Sequence, residues 1–168
     1  TALADQLRAL TRSGRATTEV TAERIVSVFV PVPTLVLVGG GPMIDAMEQL
    51  GGFLGWQVQR AFDPARATDL VVGLSPLDKL VVSGHDVEVA GPVLMAALRS
   101  RVGYIGALGG RPAQLALRDW LAVRGVDDDS AIYGPAGLDL GATSPQEVAL
   151  SVLGQAIAVG TGRAGGPL

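Results

Sequence analysis

Thr34-Leu35-Val36-Leu37-Val38-Gly39-Gly40-Gly41-Pro42 decides the fold. Its first five residues are a short apolar run, β-branched in part, ending at glycine, as in a strand buried on both faces of a parallel sheet. Pro42 suits the first position of a helix, where its missing N–H would have no intrahelical partner anyway. Strand, glycine turn and helix start open a nucleotide-binding βαβ unit. The glycines let a ligand approach the backbone, and the helix start offers N–H groups and a positive dipole end to a phosphate. A strand-to-helix turn without a ligand is the alternative at this point.

Downstream, Met43, Met47, Leu50 and Leu54 fall at helical spacing and read as core filler, with Gly51-Gly52 weakening the helix end. Trp56 to Phe62 reads as a second strand and Asp69 to Gly73 as a short third. Lys79 to Ser83 is a fourth and Val102 to Ala107 a fifth. Gly91-Pro92 is expected to open a helix through Arg99, and Gly109-Gly110-Arg111-Pro112 to start another. Ser144-Pro145-Gln146-Glu147 fits a capping box before a final helix, and the glycine-rich residues beyond Gly160 read as a flexible tail. This alternation predicts an α/β, Rossmann-like three-layer fold, with a mainly parallel sheet and helices on both faces.

Upstream, residues 2–13 read as a helix with Leu3, Leu7 and Leu10 on one face, stopped at Ser13-Gly14. Residues 14–24 read as a connector and Ile25 to Val30 as a strand. Pro31 and Pro33 set off the main domain. The expected organisation is therefore residues 1–32 as helix, strand and linker, 33–160 as the Rossmann-like domain, and 161–168 as tail. The opening Thr1 reads as loss of an initiator Met or as a cut from a longer chain.

Composition narrows the function classes. The 168 residues include 17% charged residues, no cysteine and a net charge of −3. Disulfides, thiol catalysis and zinc–cysteine sites are excluded. No basic patch points to nucleic acid, no stretch reaches membrane-span length, and no signal peptide is read, so the expected location is cytoplasmic.

Four places could carry chemistry. The first glycine turn, Gly39, Gly40 and Gly41, could hold a phosphate. Asp63, 24 positions after Gly39, stands where a dinucleotide fold places its ribose carboxylate, or simply starts the Asp63-Pro64 turn. Ile44 stands where glycine or alanine normally allows close helix–strand packing, which disfavours an ordinary dinucleotide site. The second place is Gly84-His85-Asp86-Val87-Glu88. His85 could act as a base or ligand assisted by Asp86 or Glu88, or Asp86 could cap a turn. Third, Gly109, Gly110 and Arg111 repeat the strand–glycine–helix logic with an arginine suited to phosphate. Fourth, Asp139 lies in the glycine-rich Tyr133 to Ala142 stretch, where it could bind backbone N–H groups. Gly73-Leu74-Ser75-Pro76-Leu77 lacks the final glycine of a nucleophile elbow.

Val38-Gly39-Gly40-Gly41, Gly84-His85-Asp86, Tyr104 to Gly109, Gly137 to Ala142 and Ser144 to Ser151 together resemble the XdhC/CoxI family, over roughly Pro33 to Val159. The last two stretches are the specific ones. The resemblance implies a non-catalytic accessory protein, or chaperone, for molybdenum hydroxylases such as xanthine dehydrogenase and carbon monoxide dehydrogenase. The implied cofactor is molybdenum cofactor, as molybdopterin or its dinucleotide form. The implied partners are a hydroxylase subunit and a cysteine desulfurase, with a homodimer left open. Under that reading residues 39–41 and 109–110 hold phosphates, Asp63 a ribose hydroxyl, and His85, Asp86 and Asp139 line the cleft. The chain departs from the family pattern at Pro42 and Val87, where histidines are usual, and in having no cysteine from the truncated N-terminal domain. An NAD(P)-dependent oxidoreductase and a scaffold paralogue that binds only proteins are the alternatives.

Overall fold

The computed structural model describes residues 2–12, 16–83 and 85–167, with the side chains of residues 2 and 9–12 left aside. The Ser13-Gly14 stop, the Leu10 side chain, Thr1 and Gly84 lie outside the described residues. Contacts divide the chain into two compact units, Thr1–Val32 and Pro33–Leu168.

The first unit holds α1 (Ala2–Arg12), β1 (Thr17–Val20) and β2 (Ile25–Val28). The strand β1 corrects the reading of residues 14–24 as a connector. Its β-branched Thr17, Thr18 and Val20 suit a pleated surface, and they pair antiparallel with β2 from Thr17 opposite Val28 to Val20 opposite Ile25. The turn closes with Thr21 N–H on Arg24 O at 2.8 Å.

The second unit alternates β3 (Thr34–Val38), α2 (Pro42–Phe53), β4 (Gln57–Ala61), α3 (Pro64–Val72), β5 (Lys79–Ser83), α4 (Val87–Arg99), β6 (Tyr104–Leu108), α5 (Arg111–Val123), β7 (Ile132–Tyr133) and α6 (Pro145–Gly160). The sheet order is β4-β3-β5-β6-β7, and every pairing is parallel. The three-layer fold is the one expected. Side chains alternate across the sheet with period two. Leu35, Leu37, Val81, Tyr104 and Leu108 face α2 and α6. Val36, Val38, Leu80, Val82, Ile105 and Ala107 face α3, α4 and α5. Among the described residues, no helix is long and apolar enough to cross a membrane.

Two expectations are corrected. Asp69 to Gly73 is not a strand, because residues 64–72 form α3. Leu70-Val71-Val72 has the composition of a strand, but Asp63 caps a helix there with Pro64 in its first turn, and Ala67 and Val71, one turn apart, are buried. A local cap and an (i, i+4) buried pair outweigh β-propensity. Nor does Gly91-Pro92 open a helix. The helix α4 starts at Val87 under an Asp86 cap, and Pro92 sits inside it. Gly91 is buried against Trp120, whose ring atoms would lie 2.4 Å from an added Cβ.

The capping box of α6 is present as expected. Glu147 N–H donates to Ser144 Oγ at 3.2 Å, and Glu147 Oε2 accepts from the N–H groups of Ser144 and Thr143 at 2.9 Å each. The Ser144 N–H, followed by that of Thr143, pulls the Glu147 carboxyl down to about 2. A depressed pKa gives stability that is present above the unfolded-state value and is lost as pH falls through the folded one. The wild type is therefore expected to be more thermally stable than Glu147→Gln at neutral pH. The gap between their melting temperatures should narrow as pH drops from about 4.5 towards about 2. A gap that is constant over this range would mean the carboxylate adds nothing as an anion.

Candidate functional site

Because β3 to β6 are parallel, the residues that follow them gather along one edge of the sheet. That edge receives Gly39 to Gly41, Asp63, His85-Asp86 and Gly109 to Arg111. The chain leaves β3 for the face covered by α2 and leaves β5 for the face covered by α4. The strand order reverses direction between these neighbours, and ligands in open α/β sheets settle at such a point.

The glycine turn after β3 is shaped for close approach. Gly39 has φ +99, and a Cβ there would come 2.9 Å from Ser83 Cβ, so the ends of β3 and β5 nearly touch. Its N–H is taken by Ala61 O at 2.9 Å, which removes Gly39 from the set of phosphate donors. Gly40 and Gly41 differ from it, since neither N–H has a partner among the described residues. Gly41 has φ +104, and the place of its missing Cβ is open space. No side chain caps α2. The turn after β6 repeats this arrangement. Gly109 has φ +126, and its carbonyl accepts from the buried Gln114 Nε2 at 3.3 Å. Gly110 caps α5 with no side-chain bond, and the nearest atom to an added Cβ is Pro112 Cδ at 3.8 Å. Arg111 is exposed and has no ion-pair partner among the described residues.

The acidic residues have structural partners. Asp63 accepts from Arg66 N–H at 2.9 Å as the cap of α3, and Asp86 accepts from Glu88 N–H at 2.9 Å as the cap of α4. Glu88 accepts from Trp120 Nε1 at 2.8 Å and lies 3.7 Å from Arg124. Neither carboxylate assists His85, which is exposed and has no partner among the described residues. The assisted-base reading of His85 is not realised. Among the described residues there is no group of three or more metal-ligating side chains.

Asp139 does not fasten its loop. That work falls to α6. Gln155 Oε1 accepts from Gly137 N–H at 2.9 Å and from Tyr104 OH at 2.7 Å, and Ser151 Oγ donates to Leu138 O at 2.6 Å. Asp139 is exposed beside this clamp, without a hydrogen-bond partner among the described residues.

The sequence reading missed Arg60 and Phe62. Arg60 Nη1 reaches Asp45 and Glu48 of α2 at 2.9 Å each. Its guanidinium carbon lies over the Phe62 ring, 4.9 Å from the centroid. Both border the glycine turn, at 3.6 Å (Phe62 Cε1) and 3.8 Å (Arg60 Nη2) from an added Cβ on Gly40. The available signal was a charged residue near the end of an edge strand.

A sequence model of the XdhC Rossmann domain matches residues 35–156. The chain belongs to this family. The match spans β3 through most of α6, so both glycine turns and the Gln155 clamp fall inside the XdhC domain. A crystal structure described as a xanthine dehydrogenase from Bacillus halodurans has the same fold, with a TM-score of 0.63 and 20% identity. The likeness covers 81% of this XdhC-family chain and 44% of that chain, so this chain spans less than half of its length. No curated protein matches the sequence significantly.

Proposed function

We propose that this XdhC-family chain is an accessory protein in the maturation of a molybdenum hydroxylase, and that it receives the phosphate end of molybdenum cofactor or of its dinucleotide form. One observation carries the reading beyond the family match. Of the four helices that follow β3 to β6, α3 and α4 are capped by aspartates, whereas α2 and α5 start at glycines with no side-chain cap. Backbone N–H groups at Gly40, Gly41, Gly109 and Gly110 are thus available to an anion, at helix ends whose dipoles favour one. The residues fit the phosphate end of the cofactor and not its metal. The chain has no cysteine, and a thiolate is the soft ligand molybdenum would favour. None of these 168 residues supplies that thiolate for the molybdenum centre, and a hydroxylase subunit and a cysteine desulfurase are the expected partners.

Thermal shift tests this reading. Molybdopterin-type ligands should raise the melting temperature in step with ligand excess, by about 2.7 kcal/mol of stabilisation at a hundredfold excess over Kd. Gly110→Val should remove that gain without unfolding the protein. Its φ of −71 and ψ of 176 suit valine, and the new side chain would cover the cradle. A shift with NAD(P) alone would instead indicate an oxidoreductase. Silence across the panel would leave a scaffold that binds only proteins.

A further inference from the structure

We propose that Phe62, backed by Arg60, is a shelf for a nucleobase, so that the anion received at the first glycine turn is the phosphate of a nucleotide. The inference rests on the phosphate reading above and adds the chemical class of what is attached. Phe62 is the residue immediately after β4, and its side chain is 70% exposed although it is large and apolar. It is not a stray surface residue. The Gly39 N–H bond to Ala61 O holds the end of β4 against the turn. The Phe62 ring edge stands at van der Waals distance from where a Cβ on Gly40 would be. A ligand whose phosphate meets the N–H groups of Gly40 and Gly41 therefore has an aromatic face beside it.

Arg60 fixes that face. Its Nη1 is shared by Asp45 and Glu48, which hold the guanidinium over one side of the ring. The arginine side chain is only 21% exposed, and its Nε is buried without a partner. Two carboxylates on one guanidinium leave no net positive charge to offer a phosphate, so Arg60 acts as ring support through its cation–π contact. The ring's other face is left for a flat partner. Stacking of a base on such an aromatic is sequence-tolerant and is worth roughly 5- to 150-fold in affinity. An alkyl chain or an unsubstituted phosphate would gain nothing comparable from a ring standing this far into solvent.

The test compares inorganic pyrophosphate with ADP, CDP and GDP on the wild type, Phe62→Ala and Phe62→Trp, by calorimetric titration. The wild type is expected to bind the nucleoside diphosphates about tenfold or more tighter than pyrophosphate. Phe62→Ala should bring them down to the pyrophosphate level while leaving pyrophosphate itself unchanged, and Phe62→Trp should keep the preference. Nucleotides no tighter than pyrophosphate on the wild type, or a preference that survives Phe62→Ala, would overturn the shelf and leave the phosphate cradle standing. Absence of binding by every ligand, pyrophosphate included, would overturn both.

Discussion

Replacing Gly39 with alanine is expected to destabilise the protein by about 3 kcal/mol, the largest effect of any substitution in the glycine turn. Two causes add. A φ of +99 is strained for any residue with a Cβ, and the new methyl would stand 2.9 Å from Ser83 Cβ, on the neighbouring strand β5. Ser83 cannot swing aside, because its Cβ moves only with the β5 backbone, which is paired to β3 and β6. The neighbouring glycines calibrate the claim. Gly41→Ala meets open space but keeps the strain of φ +104, so it should cost about 1–2 kcal/mol. Gly40→Ala, with its nearest contacts at 3.6 and 3.8 Å and no positive φ, should stay within about 0.5 kcal/mol. Urea denaturation measures the series directly. For a chain of 168 residues, the Gly39 change corresponds to a fall in Tm of about 6–12 °C. If Gly39→Ala proves as mild as Gly40→Ala, the near contact of β3 and β5 does not define the crevice floor.

This ordering shows what a linear reading of the sequence can and cannot deliver. Gly39, Gly40 and Gly41 look alike in sequence, and all three were expected to offer N–H groups to a phosphate. Their roles separate only when β4 and β5 are laid on either side of β3. Gly39 then gives its N–H to Ala61, and only the other two remain for a ligand. Strand order likewise brings Arg60 and Phe62 to Gly40, and no periodicity within β4 announces it. The features readable in advance were local ones. The apolar runs of β3, β5 and β6 are buried on both faces and so have an unmistakable composition. The Ser144–Glu147 box is a four-residue pattern with its own hydrogen bonds. Other readings turned on competing local rules. Asp63 and Asp86 were weighed as ligand residues and turn residues, and both proved to be helix caps, consistent with their places just before Pro64 and Val87. The strand β7 was not anticipated because it is two residues long, Ile132–Tyr133. It is held by pairing to β6 and by the stack of Tyr133 on Tyr104 at 5.2 Å.

Asp78→Ala is expected to cost about 3 kcal/mol at neutral pH, from the edge of the sheet opposite the candidate site. Asp78 is 9% exposed. Its Oδ1 accepts from Thr34 N–H at 2.6 Å, and its Oδ2 accepts from Ser75 N–H at 2.7 Å. One carboxylate thus ties the first residue of β3 to the segment leading into β5, and its own carbonyl receives Gly103 N–H at 3.1 Å. Burial pushes the Asp78 carboxyl up, but the Thr34 and Ser75 N–H groups, helped by Lys79, outweigh it and leave it below its ordinary value. Truncation to alanine strands both donors, and Asp78→Asn should be nearly as harmful, since its amide sets an NH2 against one N–H. Because the folded-state pKa is lowered, the contribution is present above the unfolded value of 3.8 and disappears as the solution is acidified below it. Melting curves of wild type and Asp78→Ala should therefore draw closer in acid and stand about 6–12 °C apart at pH 7. The pyrophosphate affinity of the folded Asp78→Ala protein should equal that of the wild type, because Asp78 touches neither glycine turn. A matching loss of affinity would show that the two edges of the sheet are mechanically coupled and that the site depends on the exact register of β3 and β5. Unchanged stability would mean that Thr34 and Ser75 find water at no cost, and that pairing along the strands alone sets that register.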